Sequence, residues 1–219
     1  MQMDCKLNGT IRRGSLSWLA AAITFLAASL SANGQIGAGK QTELYLIGES
    51  ASPVKIEVFS DYQCPACRAF YMETLKPLIT NYADGKKVGI VYHDYPLDMH
   101  PYARPATRLA LAAARLGRER WLRVTDALYA NQPQWSQDGD IDAALAKVLD
   151  PDDLVRVKKM AAEPSIEAFV EQELIAAHIR NVTSTPTFFI ISEAGRQQRV
   201  NGGVPYPVLK DYLDRLLKQ

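Results

Sequence analysis

Cysteine is scarce in this 219-residue chain: Cys5, Cys64 and Cys67 are the whole inventory. One of the three sits in the extreme N-terminus, so a small scaffold stapled by several disulfides is excluded. Charge of one sign is also missing. The formal net charge is +1 and no block of like charge occurs, which leaves no bulk field for nucleic acid or an acidic surface. Internal repeats and low-complexity tracts are absent. What is there has the balance of a soluble globular protein, 47% hydrophobic and 22% charged residues. The length suits one domain, or one domain carrying a sizeable insertion.

The longest apolar run, Leu16 to Leu30, is rich in Ala and Ser and shorter than the ~20 residues of a membrane-spanning helix. Lys6, Arg12 and Arg13 precede it against Asp4, and Ser31, Ala32, Asn33 and Gly34 follow. Basic start, apolar core and small-residue exit predict a secretory signal over residues 1–34, cleaved near Ala32 or Gly34. An uncleaved anchor is the alternative. Either way the rest of the chain is expected outside the cytoplasm, in a periplasmic or similar extracytoplasmic space, while Cys5 stays behind or is discarded. In such an oxidising compartment the pair Cys64 and Cys67 reads most naturally as a disulfide that forms and breaks.

Residues 35–52 are polar and read as a linker or arm. Val54 to Phe59 is β-branched and aromatic, a strand starting after Pro53. Cys64-Pro65-Ala66-Cys67 follows at once, and Phe70, Leu75, Leu78, Ile79 and Tyr82 then keep helical spacing. Pro65 suits the first helical turn, Pro77 is expected to kink the helix midway, and Asp84-Gly85 ends it. Val88 to Tyr92 is a second strand. The cysteines therefore fall at the strand-to-helix turn of a βαβ unit. A helical block follows, from the Ala-rich stretch Tyr102 to Leu116 through Trp121, Val124 and Leu128 and the stripe of Ile141, Leu145, Val148 and Leu149. Asp150-Pro151 caps another helix, and a longer one runs on to about Arg180. Strands return at Thr187 to Ile191 and Gln197 to Val200, and Pro205 to Leu217 closes the chain as an amphipathic helix.

A thiol attacks a disulfide only as thiolate, and the leaving sulfur departs more easily when its own thiolate is stabilised. Unpaired backbone N–H groups and the dipole at a helix N-terminus do that. Cys64 takes that place if the helix begins at Pro65, and Cys67 lies nearly one turn further in. Cys64 is therefore assigned the mixed disulfide with a client, and Cys67 the internal bridge. The spacer Pro65-Ala66 carries no charged or ring-donor group, so backbone donors must do most of the work on Cys64. A zinc half-site would need His93 and His100 as extra ligands; no metal is expected. Asp61 beside the turn reads as a local cap or turn acceptor, and His93, His100 and His178 as packing or hydrogen-bonding residues. Thr185-Pro186 precedes the aromatic strand. Its plain reading is an edge-strand or loop proline; the sharper one is a cis bond that leaves the Thr185 backbone free to pair with an extended client peptide.

Phe59-Ser60-Asp61-Tyr62-Gln63-Cys64-Pro65-Ala66-Cys67, together with Thr185-Pro186-Thr187-Phe188-Phe189, resembles the DsbA-like branch of the thioredoxin superfamily. The similarity covers roughly residues 45–219 and takes in Tyr95-Pro96-Leu97 and His100 ahead of the Ala-rich helix. It implies an α/β thioredoxin fold over residues 35–97 and 176–219, with a helical insertion over 98–175. It also implies that Cys64 is the reactive cysteine, Cys67 its partner, Pro186 the facing cis-proline and Thr185 a substrate contact. Relatives often carry Glu where Val58 stands, Gly where Ser184 stands, and, in the strongest oxidants, His where Ala66 stands. Strand alternation sends Glu57 and Val58 to opposite faces.

The resulting expectation is dithiol–disulfide exchange with unfolded or reduced exported proteins, in the oxidising direction. The resemblance adds reoxidation by a membrane quinone-linked partner. The protein is expected to be a monomer without an organic cofactor, its redox-active disulfide carrying the electrons. Two alternatives stay open: a reductase or isomerase using the same site, and a peptide-binding chaperone whose bridge is inert.

Overall fold

The computed structural model describes residues 46–218. The signal read at residues 1–34, Cys5, and the linker as far as residue 45 lie outside the described residues.

Five strands form one mixed sheet in the order β1-β3-β2-β4-β5: β1 (Leu46–Ile47), β2 (Val54–Ser60), β3 (Val88–Asp94), β4 (Thr187–Ile191) and β5 (Gln197–Asn201). β2 is central, parallel to β3 and antiparallel to β4. Its alternation is that of a strand with two unlike faces. Val54, Ile56 and Val58 are buried in the main core, whereas Lys55 and Glu57 turn to the other face. Glu57 there pairs with Arg180, whose guanidinium lies 4.1 Å from the centre of the Phe189 ring. β1 corrects the reading of 35–52 as linker throughout: Leu46 and Ile47 pair antiparallel with Val91 and Ile90. Two residues carry too little periodicity to announce a strand, and cross-strand pairing creates it.

The helix after β2 begins as α1 (Pro65–Phe70) and continues through Tyr71–Leu75, α2 (Lys76–Leu78) and Ile79–Ala83. Pro77 does not simply kink it. With its N–H missing, the ladder widens to π-type turns on either side, Lys76 N–H bonding Tyr71 O and Asp84 N–H bonding Ile79 O. Phe70 stacks on Phe188 of β4 at 5.0 Å between ring centres, which seats α1 on the sheet.

Between β3 and β4 the chain forms α3 (Ala103–Arg115), α4 (Arg118–Ala130), α5 (Gln132–Asp138), α6 (Ile141–Leu145), α7 (Pro151–Ala161) and α8 (Pro164–Ile179). α3 buries Ala106, Ala110, Ala112, Ala113 and Ala114, small side chains that let α4, α7 and α8 pack closely around it. Asp150 caps α7 through Asp153 N–H with Pro151 at the first position, as the sequence predicts. Nothing in the sequence announces α5. It carries no apolar stripe, yet it buries Trp135, whose indole N–H donates to Leu128 O at 2.7 Å. Gly139 ends it at φ 82, where a Cβ would lie 2.6 Å from the Tyr102 ring. α9 (Tyr206–Leu216) closes the described chain and seals the core with Leu209 and Leu213.

Candidate active site

The turn from β2 to α1 is fixed before any chemistry is considered. Asp61 is fully buried; its Oδ1 accepts from Gln63 N–H at 2.7 Å, the turn role expected of it, and its carbonyl accepts from Cys64 N–H at 3.2 Å. Its Oδ2 does more than the sequence suggested, taking Leu97 N–H at 2.9 Å and standing 2.7 Å from His100 Nδ1. Gln63 Oε1 accepts from Tyr102 N–H at 2.6 Å. From α5, the buried Gln132 amide donates to the carbonyls of Tyr62 and Cys64. Gln63 stands in the motif around Cys64 but carries no role there by sequence alone, and Gln132, outside any motif, carries no signal.

Cys64 occupies the N-cap of α1 and Pro65 its first position. Both cysteines are present as thiols. Cys64 keeps 7% of its surface exposed and Cys67 none, while the spacer residues Pro65 and Ala66 are exposed. The facing loop supplies a cis Thr185–Pro186 bond, and the Cys64 thiol lies 3.5 Å from the Thr185 carbonyl oxygen, donating to it. Cys64, Cys67, Thr185 and Pro186 are thus gathered at one place, across 121 residues of sequence. His93 is elsewhere, stacked on Phe59 and 2.8 Å from Glu173. Among the described residues no three His, Cys, Asp or Glu side chains converge as a metal-ligand set.

The electrostatics separate the two sulfurs. Cys64 is pulled down to about 5, first by the hydrogen bond from Cys67, with the backbone N–H groups of Cys67 and Ala66 adding to it against the cost of burial. Cys67 is pushed well above the ordinary thiol range, first by burial and then by Cys64. One sulfur is built to be a thiolate, the other to keep its proton. Beneath Cys67 lies a buried polar cluster. Asp61 N–H reaches the Cys67 sulfur at 3.4 Å, Ser60 Oγ is 2.8 Å from the Tyr129 hydroxyl, and that hydroxyl is 2.5 Å from the one on Tyr92.

Comparison with known proteins bears on the fold. A sequence model described as thioredoxin matches residues 40–199. A Na(+)/H(+) antiporter NhaA 3 of Salinispora tropica is 31% identical over 144 residues, which are 65% of this chain and 21% of that protein. The chain thus spans about a fifth of the first two curated relatives it matches. A probable disulfide bond formation protein D of Bacillus cereus is 23% identical over 184 residues, 79% of this chain and 78% of its own. Among solved structures, Wolbachia pipientis alpha-DsbA1 superposes with a TM-score of 0.65 at 18% identity, over 81% of this chain and 96% of that one. Pseudomonas aeruginosa DsbA2 gives 0.62 at 24% identity, over 80% and 94%. The fold expected from the resemblance, a thioredoxin-type α/β fold, is therefore the fold of this chain.

Proposed function

Because the chain belongs to the thioredoxin family over most of its length, we propose that it is a protein thiol–disulfide oxidoreductase whose working pair is Cys64 and Cys67. One observation carries this reading: Cys64 stands at the head of α1, held toward the thiolate and facing the Thr185 carbonyl. That carbonyl belongs to a residue whose backbone can pair with an extended client segment, placing a client sulfur against Cys64.

The direction proposed is oxidation. A client thiolate attacks the Cys64 sulfur and expels Cys67; a second client thiol resolves the mixed disulfide and leaves both cysteines reduced. A stabilised Cys64 thiolate favours the reduced enzyme, and a favoured reduced state makes the disulfide form an oxidant. The name probable disulfide bond formation protein D, borne by a similar protein, points the same way. Export by the signal at residues 1–34, reduced exported proteins as clients, a membrane quinone-linked reoxidase, a monomeric state and the absence of an organic cofactor complete the proposal.

The test is Cys64→Ser in an assay that follows thiol oxidation of a reduced, unfolded client. Loss of activity is expected. Undiminished oxidation overturns the enzyme reading in favour of a peptide-binding protein with an inert bridge. Equilibrating the Cys64–Cys67 pair against a glutathione series tests the direction, since a strongly reducing potential favours the reductase or isomerase.

A further inference from the structure

The oxidoreductase reading, on which this inference rests, needs the Thr185 carbonyl held in one place opposite Cys64, 3.5 Å from its sulfur. The loop that carries it runs from Asn181, just past α8, to Thr187 at the start of β4. Its own backbone does little to fix it. Among the described residues the N–H groups of Thr183, Ser184 and Thr185 reach no acceptor. That leaves Thr185 free to pair with a client, but it also leaves the loop without a ladder. A segment without ladder bonds keeps its conformational freedom unless other groups tie it down.

The ties are few. At the entry, Val182 N–H donates to Ala177 O at 2.9 Å, and the Asn181 carbonyl accepts from Arg199 Nη2 at 2.9 Å. At the exit, the Pro186 carbonyl accepts from Gly202 N–H at 2.7 Å. Between them one side chain reaches in: Thr187 Oγ1 donates to the Ser184 carbonyl at 2.7 Å. Asn201 Oδ1, which also accepts from Arg199 Nε, is a more distant second acceptor at 3.4 Å. The Ser184 and Pro186 bonds bracket the Thr185 carbonyl. Thr187 is itself rigidly placed, 0% exposed and paired in register with Phe59 of β2 and Asn201 of β5. Its plain reading is a β-branched residue that suits a buried strand. Valine would fill the same space, so packing does not call for the hydroxyl.

We propose that Thr187 is a positioning residue of the client site: its hydroxyl holds the Ser184 carbonyl and so sets the Thr185 carbonyl against Cys64, where an extended client segment docks. Thr187 acts on the client through Thr185. Its contribution is to order, before the client arrives, a loop that the client would otherwise have to order on binding, which lowers affinity. A client that pairs with the Thr185 backbone therefore depends on the Thr187 hydroxyl. A small dithiol, which reacts at Cys64 without pairing with that backbone, does not.

The test compares a client with a small dithiol. Protein carrying the Cys64–Cys67 disulfide is mixed with a reduced, unstructured peptide containing two cysteines, or with dithiothreitol. Acid quenching and thiol alkylation follow the loss of the disulfide. In Thr187→Val, kcat/KM for the peptide is expected to fall about tenfold, the weight of one lost hydrogen bond, chiefly through a raised KM. The dithiothreitol rate is expected to be unchanged. Thr187→Ser, which keeps the hydroxyl, is expected to recover the peptide rate. Ser184 is exposed, so water replaces the lost donor and the denaturant midpoint of Thr187→Val is expected to move little. Thr187→Ala serves if Thr187→Val does not fold. Equal slowing toward peptide and dithiothreitol, wild-type peptide kinetics in the folded variant, or a Thr187→Ser protein as slow as Thr187→Val overturns the proposal. A wild-type protein that oxidises neither the peptide nor dithiothreitol overturns the oxidoreductase reading instead.

Discussion

The side-chain amide of Gln132 donates to the carbonyl oxygen of Cys64 at 3.0 Å, from a helix 68 residues further along the chain. The same nitrogen donates to the Tyr62 carbonyl at 2.7 Å. One buried group thus satisfies two carbonyls of the turn that presents the reactive sulfur, and it couples α5 to the site. Gln132→Leu leaves the Tyr62 carbonyl without that donor, while the Cys64 carbonyl keeps Arg68 N–H at 3.1 Å. A loss of about 1–3 kcal/mol is expected from one unpaired buried acceptor, read as a lowered denaturant midpoint, together with slower client oxidation as the turn loosens.

A second consequence concerns pH. Cys64 is depressed from 9.0 to about 5 in the folded, reduced protein, first by the Cys67 hydrogen bond. A depressed group adds stability that is complete above its unfolded value and disappears as pH falls through the folded one. The reduced form should therefore gain stability over the oxidised form as pH rises from about 5 to 9. Cys67 does not offset this within that window, because its shift is upward from 9.0. Thiolate absorbance near 240 nm should show a transition near pH 5 that Cys64→Ser abolishes. A transition at the ordinary thiol range contradicts the expectation.

Glu57 offers a contrast. It faces away from the cysteines and pairs with Arg180, both side chains being roughly a quarter exposed. Glu57→Gln is expected to cost about 0–1 kcal/mol, the range of a pair open to solvent, and to leave the Cys64 titration where it is. A displaced titration means that the carboxylate does reach the cysteines.

Much of the site was legible because its signals are local. A strand, a CxxC and a helix starting at Pro65 specify where Cys64 sits within a few residues of chain, and Thr185-Pro186 ahead of an aromatic strand marks the facing loop. Glu57 and Val58 part to opposite faces as strand alternation requires. What was not legible depends on partners far apart in sequence. Ser60 and Tyr129 meet across 69 residues, and each alone reads as a strand serine or a helix tyrosine. Gln132 belongs to a short helix without an apolar stripe, and β1 exists only through its pairing with β3. Asp94 closes a strand, where a carboxylate ordinarily signals a turn, yet it is 1% exposed.

Asp61 carries the last prediction, because it serves both cysteines through its backbone and anchors a loop through its side chain. Its N–H meets the Cys67 sulfur and its carbonyl takes the Cys64 N–H, while Oδ2 holds Leu97 N–H and His100 Nδ1. Asp61→Asn keeps the shape and can keep the Oδ1 bond to Gln63. In that orientation it turns an amide NH2 toward the Leu97 N–H, a donor against a donor. The opposite orientation satisfies Leu97 and deprives Gln63. Either way one buried bond is lost, at a cost of about 1–3 kcal/mol, measurable by chemical denaturation at neutral pH. His100→Ala removes a partner but leaves Asp61 its two backbone donors, so its cost is expected to be smaller. Equal losses in the two variants would mean that the histidine, and not the turn, is what the Asp61 carboxylate chiefly holds.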